Sequence, residues 1–255
     1  MESYNPEIEI EYLSWPEVSE RMSAGYRTAV FAVGSLEQHG THLPITVDAL
    51  IGSAIARRVT AHLGNALMAP TVRPGNSSHH MGFPGTITLR PSTLSAIVVD
   101  YCTSLASHGF KTIVVISAHG GNNSIVQVAC MEAQELLGDR ADIIPITQVM
   151  AYNSTEWGKV REGYHATSVE TGCVMALAPE LVHLDKASDW TNPIDPNIRD
   201  ISALLSARGT KHFAPKGIMG RPTSAKAEVG AEVIESIGEN IAAQVKLVMR
   251  QIAEK

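Results

Sequence analysis

Short apolar runs alternate along this chain with longer stretches in which apolar residues recur every three or four positions. Thr28–Val33 (TAVFAV) is apolar throughout and predicts a buried strand. Ala66–Ala69 and Asp142–Ile146 predict shorter strands. Thr112–Ile116 (TIVVI) is a β-branched run, which suits a central parallel strand covered on both faces. Between them, Val47–Leu63 predicts a helix with Leu50, Ile51, Ala54, Ile55 and Val59 on one stripe. Ser92–Ser107 predicts a helix capped by Ser92 and stopped at Gly109, and Asn123–Leu137 predicts another. A further helix is expected from a Ser168 cap to Leu177. The last spans Ala227 to Ile252, with Val229, Val233, Ile237, Ile241, Val245 and Val248 on one face. This alternation implies an α/β protein, a three-layer αβα sandwich around a mostly parallel sheet. Residues 1–255 read as one domain. Its segment 182–225 is poor in periodicity and rich in Pro and Gly, an excursion suited to a lid, a binding loop or a subunit contact.

Composition narrows the function classes. The 255 residues are 44% hydrophobic and 18% charged, a globular balance. The formal net charge of −6, without basic clusters, argues against nucleic acid as a partner. With no apolar run of membrane-spanning length and a polar, acidic start, no membrane partner and no secretory leader are expected. Cys102, Cys130 and Cys173 form no CxxC pair, and each lies in an apolar helical stretch. Buried reduced thiols and a cytoplasmic location are the expectation.

The chemistry-bearing residues gather just after predicted strands, where parallel sheets bind ligands. Gly34-Ser35-Leu36-Glu37-Gln38-His39-Gly40 follows the first strand. Two-residue spacing in extended backbone puts Glu37 and His39 on one face, and Asp48 falls in the first turn of the next helix. Two carboxylates and an imidazole suit a divalent metal, zinc, manganese or iron; a capped turn with a solvated Glu is the alternative. Ser117-Ala118-His119-Gly120-Gly121-Asn122 follows the β-branched strand and supplies His119. In His165-Ala166-Thr167-Ser168-Val169-Glu170, the Glu either joins the chemistry or stabilises a helix N-terminus. Ser78, His79 and His80 sit in a polar loop; adjacent side chains diverge, so substrate contact or a surface loop is expected rather than a shared metal. His42, His62, His108, His183 and His212 have no partner pattern. No GxSxG elbow supports a serine hydrolase.

Together these segments resemble the creatininase (creatinine amidohydrolase) family. The matching stretches are VGSLEQHGTHLPITVDALIG at 33–52, HHMGFPGTITLRPSTL at 79–94, ISAHGGNN at 116–123, HATSVETGCVMALAPELV at 165–182 and, more weakly, GIMGRPTSAKAEVG at 217–230. The resemblance implies a metallohydrolase with two adjacent divalent ions and a homo-oligomer, often a hexamer. It makes Glu37, His39, Asp48 and His119 metal ligands, with Asp48 as the bridge, and sets His165 near the substrate. Creatininase carries a Glu two residues after the ligand His, where this chain has Gly121. The resemblance therefore leaves the second ion short of a ligand, for which Glu170 is the candidate, and puts creatinine itself in doubt. Trp157 is the nearest Trp upstream of His165 that could match the aromatic residues closing over creatinine. The reaction expected is metal-assisted hydrolysis of a non-peptide C–N bond in a small cyclic or formylated amide, with His165 or Glu170 moving the proton. A family member cleaving a C–C bond of a cyclic keto-inositol, or a non-catalytic metal-binding subunit, are the alternatives. Substrate choice would lie with residues 73–86, 150–165 and 182–225.

Overall fold

A computed structural model of the protein describes residues 5–147, 163–191, 194–195, 197–198 and 201–254. Four strands occur among them: β1 Thr28–Val33, β2 Ala66–Met68, β3 Thr112–Ser117 and β4 Asp142–Thr147. All pairings are parallel, in the order β2–β1–β3–β4. Val33 lies opposite Ser117, so β1 and β3 end level and their following loops emerge side by side.

The helices are α1 Trp15–Ser23, α2 Val47–Leu63, α3 Pro91–Ser107, α4 Asn123–Leu137, α5 Ser168–Leu177, α6 Ile201–Arg208, α7 Thr210–Phe213 and α8 Ala227–Ala253. Successive strand residues point to opposite faces, so β1 and β3 feed two cores. Val30, Ala32, Val114 and Ile116 pack against Ile51 and Ile55 of α2, Val174 of α5, and Ile237 and Ile241 of α8. Phe31, Val33, Ile113 and Val115 pack against Leu94 and Val98 of α3, and Val126 and Ala129 of α4. This is the expected three-layer αβα sandwich. Each large aliphatic side chain so buried contributes roughly 1.5–3 kcal/mol relative to exposure.

Two close approaches fix α8 against its neighbours. A Cβ on Gly230 of α8 would lie 2.1 Å from the Gly172 carbonyl carbon of α5, so these helices cross with no side chain between them. A Cβ on Gly238 of α8 would lie 2.4 Å from the Arg58 Cβ of α2. Helix α8 thus braces both α2 and α5, whose N-terminal turns lie at the carboxyl end of the sheet.

Helix starts are where the sequence reading needs correction. Helix α3 begins at Pro91, so Arg90, not Ser92, occupies the cap; proline favours the first helical position because it lacks the N–H that would go unpaired there. Helix α5 is capped by Thr167, not Ser168. The Thr167 hydroxyl accepts from the Glu170 N–H at 3.2 Å while Glu170 accepts from the Thr167 N–H at 2.9 Å, a reciprocal pair that Ser168 cannot form. Strand β2 stops at Met68, whereas β3 and β4 run one residue further than expected. Leu50 is only partly buried, and Val248 is 39% exposed, outside the buried face of α8. Helix α1 is an addition; it buries only Met22, so its apolar periodicity is faint, although Ser14 and Glu17 form a capping box around Pro16. The 182–225 segment contains α6, α7 and short 3-10 turns. No helix among the described residues is long and apolar enough to cross a membrane. Cys102, Cys130 and Cys173 are buried free thiols.

Candidate metal centre

The carboxyl ends of β1 and β3 open onto a buried polar nest. The loop after β1 carries Glu37, 1% exposed, and His39, 1% exposed, and leads into α2, whose first turn holds Asp48. His119 follows β3 directly. His165 is held by a backbone bridge to Met219, with the Met219 N–H donating to the His165 carbonyl at 2.9 Å. Ala166, buried at φ 51°, turns the chain between His165 and the α5 cap. That left-handed turn brings His165 and Glu170 to the same nest from opposite ends of a short segment.

Distances define what the nest can hold. His39 Nε2 is 3.4 Å from Asp48 Oδ1 and 4.0 Å from Glu170 Oε1. His119 Nδ1 is 3.2 Å from Asp48 Oδ2, and its Nε2 is 3.2 Å from Glu37 Oε2. His165 Nδ1 is 3.7 Å and His80 Nε2 3.4 Å from Glu37 Oε1. Three donor sets lie within ligating reach of a single ion each: His39, Asp48 and Glu170; Glu37, His39 and His165; and Glu37, His79 and His119.

Imidazole orientation decides which atoms are lone pairs. His39 Nδ1 donates to the Glu37 carbonyl at 3.2 Å, and His119 Nε2 donates to the Asn76 carbonyl at 3.1 Å. His165 Nε2 donates to the Gln38 carbonyl at 2.7 Å. A carbonyl oxygen can only accept, so each contact fixes one ring N–H and leaves the other nitrogen aimed into the nest. Glu37 Oε1, His39 Nε2 and Asp48 Oδ2 are buried without a hydrogen-bond partner among the described residues. Buried charged and polar atoms crowded together without full pairing are costly. A divalent cation relieves that arrangement, so the residues fit a metal.

Electrostatics agree with the geometry. Burial, opposed by His119 and reinforced by Asp48, pushes the Glu37 carboxyl up to about 7. Burial would lower the His39 ring, but Asp48, Glu170 and Glu37 outweigh it and raise it to about 10. The same contest, with Glu37 and Asp48 prevailing, raises His119 to about 9. Burial disfavours ionised Asp48, yet His39 and His119 hold its carboxyl far below the usual carboxylate range. His165 is kept neutral by burial and by the neighbouring His39 charge. Without metal, ring protons supply the positive charge that the carboxylates attract.

Several sequence expectations shift here. The 3-10 turn Ser78–His80 sets the His79 and His80 rings 4.3 Å apart at 56° and brings both toward Glu37, but only His79 belongs to a donor set, so the two share no metal position. Ser78 is exposed and belongs to none of the donor sets. Glu170 is not one thing or the other, because Oε2 caps α5 while Oε1 faces His39. His42 is an interior residue, its Nε2 paired with the Thr171 hydroxyl at 3.0 Å and its Nδ1 buried without a partner among the described residues. Trp157 lies outside the described residues. The sequence reading missed Gln38, whose Nε2 donates to His80 Nδ1 at 2.7 Å, and Ser35, whose hydroxyl donates to Glu37 Oε2 at 3.2 Å. Their position inside the Ser35-to-His39 run was the available signal.

A parallel αβα sandwich with a nest of carboxylates and oriented imidazoles at its strand ends defines a metal-dependent hydrolase. The creatininase (creatinine amidohydrolase) family model matches residues 11–245. The mycofactocin precursor peptide peptidase of Mycolicibacterium smegmatis is 30% identical over 220 residues, covering 84% of this chain and 82% of that protein. Creatinine amidohydrolase of Pseudomonas putida is 30% identical over 229 residues, covering 78% and 86%. A solved structure of manganese creatininase superposes with a TM-score of 0.79 at 26% identity, covering 94% of this chain and 97% of that one. The chain belongs to the creatininase family.

Proposed function

We propose that this enzyme hydrolyses a non-peptide C–N bond of a small cyclic or formylated amide at a centre of two divalent ions. The observation that carries the reading is the meeting of lone pairs at Asp48, with His39 Nε2 facing one carboxylate oxygen and His119 Nδ1 the other. His39, Asp48 and Glu170 would hold one ion; His119 Nδ1 and Asp48 would hold the other, with Asp48 the bridge and Glu37, whose Oε2 faces His119 Nε2, completing it as the family resemblance implies. Mixed imidazole and carboxylate donors suit zinc or manganese first and iron next. When bound, the ions acidify a water and polarise the substrate carbonyl.

The chain's own groups supply the rest. Ring N–H contacts to backbone carbonyls hold His39, His119 and His165 in one tautomer. His165, neutral and with Nδ1 free to accept, takes the proton from the attacking water and returns it to the leaving nitrogen. Glu170, with one oxygen held by the α5 cap, acts as a ligand rather than a carrier. Half-buried His79 stands at the rim nearest the substrate, with buried His80 behind it. The 30% identity with a peptide peptidase favours a second reading, in which the same centre cuts a peptide bond.

Protein purified without chelator and supplemented with Zn²⁺ or Mn²⁺ is tested on creatinine and related cyclic amides, N-formyl amines and short peptides. Turnover of cyclic or formylated amides, lost on chelation, supports the first reading; turnover of peptides alone supports the second. Bound metal without turnover on any of them points to a binding subunit. Less than about half an equivalent of metal counts against the dinuclear centre. Exposed Val128, Met131 and Leu136 on α4 support a homo-oligomer, a hexamer on the family resemblance, and the three buried free thiols favour the reducing cytoplasm. Light scattering should give several times 27.3 kDa, and an active monomer would remove the claim.

A further inference from the structure

A ligand imidazole is only as well oriented as the carbonyl that takes its second N–H. For His119 that carbonyl belongs to Asn76, on a loop joined to neither β1 nor β3 in sequence. Something must hold this loop against the strand ends. We propose that Asn122 is that positioning residue: its buried amide ties the 75–76 backbone to the end of β1, so that Asn76 takes the His119 Nε2 proton and Nδ1 is left to bind metal. The inference rests on the reading of His119 as a ligand.

Asn122 is completely buried at the end of the 3-10 turn after His119. Its Nδ2 donates to the Gly34 carbonyl at 2.8 Å and the Val33 carbonyl at 3.2 Å, and its Oδ1 accepts from the Asn76 N–H at 2.8 Å. The amide therefore uses both its N–H donors and its oxygen to tie two separate loops together. Asn76 is anchored from its other side as well, its Nδ2 donating to the Leu89 carbonyl at 2.8 Å. Its carbonyl, held between these ties, sits 3.1 Å from His119 Nε2.

The surrounding glycines show how little room the clamp leaves. A Cβ on Gly75 would lie 2.4 Å from the Gly34 oxygen and 2.7 Å from Asn122 Oδ1. A Cβ on Gly121 would lie 2.4 Å from the Asn76 oxygen and 2.5 Å from His119 Nε2, the two atoms whose hydrogen bond fixes the tautomer. Gly121 is the position where this chain departs from creatininase. In this chain the clamp occupies the space that a side chain there would need.

Three measurements test this. In zinc-loaded wild-type protein labelled with ¹⁵N-histidine, His119, assigned by its loss in His119→Gln, should carry its proton on Nε2 and zinc on Nδ1. Asn122→Asp keeps the shape and the acceptor for Asn76 but turns an oxygen toward the Gly34 and Val33 carbonyls. Gly121→Ala presses on the carbonyl and the ring without touching Asn122. Chelator competition should show either variant binding one zinc about 10- to 100-fold more weakly, the usual consequence of losing a ligand's outer partner. The zinc on the His39 and Glu170 side should keep its affinity, which a general loss of stability would not spare. Should Asn122→Asp fail to fold, Gly121→Ala and the wild-type spectrum decide. His119 protonated on Nδ1, or both variants folded with two zinc ions at wild-type affinity, overturns the inference. A wild-type chain holding a single zinc sinks the dinuclear reading instead, and the His119 signals still decide this one.

Discussion

Replacing Glu170 by Gln acts on two oxygens that do different work. Oε2 accepts from the Thr167 N–H at 2.9 Å in the α5 capping box, and Oε1 lies 4.0 Å from His39 Nε2. In the variant the Thr167 N–H needs an acceptor, so the amide oxygen takes the place of Oε2 and the NH₂ group turns toward His39. The helix loses only the favourable charge at its N-terminus, roughly 0.3–1 kcal/mol. For a domain of this size that lowers the metal-free melting temperature by about 1–4 °C. The consequence for metal is larger, because the His39 and Asp48 position falls from three protein donors to two and gains a repelling N–H. At zinc concentrations a hundred times its dissociation constant, each bound ion stabilises by about 2.7 kcal/mol. The zinc-induced rise in melting temperature should therefore be about 5–10 °C smaller in the variant than in the wild type. Elemental analysis should find one ion lost, and turnover should fall by at least about a hundredfold. A folded variant that keeps two ions and the full zinc-induced rise would refute the assignment of Glu170 as a ligand.

Asp48→Ala removes both bridging oxygens and should empty both metal positions and abolish activity. As an α2 first-turn residue alone, its loss would cost only about 0.3–1 kcal/mol and spare activity, so an active variant excludes the bridge. Zinc uptake at pH 7 should release between about two and three protons per chain, because the metal-free His39 and His119 rings are raised to about 10 and 9 and the Glu37 carboxyl to about 7, and all three must shed protons to bind. Affinity must then fall as pH falls; weakly buffered indicator titration reads this, and binding without proton release would contradict it. Burial raises the Cys102 and Cys173 thiols to about 12, and raises Cys130 further. Ellman's reagent at pH 8 should therefore label no thiol in native protein and all three after denaturation; rapid native labelling would place a cysteine outside the core.

The sheet was readable because burial on both faces leaves a continuous apolar signature. TIVVI needs a helix layer on each side, and the two cores built on Val114 and Val115 supply them. Glu37, His39 and His119 could be placed at strand ends for the same reason. What the chain hid were contacts made across long sequence separations. Gln38 meets His80 across 42 residues and Asn122 meets Gly34 across 88; a place in a site loop marks each, but nothing local names the partner. The cap of α5 was misread by one residue because Ser and Thr are both good caps, and only the Glu three residues on decides between them. The crowding at Gly121 was invisible for a related reason, since a glycine in a turn has many explanations until its neighbours are known.

The glycine crossing between α5 and α8 bears on how this family could diversify. Helix α5 carries Glu170 and α2 carries Asp48, and α8 touches both helices where Gly230 and Gly238 leave no side chain. The Gly230 contact with the Gly172 backbone cannot be trimmed, and every substitution at these glycines only adds volume. Mutation can break the spacing of these two carboxylates but has no small step by which to retune it. Loops such as 73–86 face no such restriction, because their side chains can be exchanged singly. Selection for a new substrate would therefore find its variation at the rim, while the spacing of the two carboxylates passes unchanged from one specificity to the next.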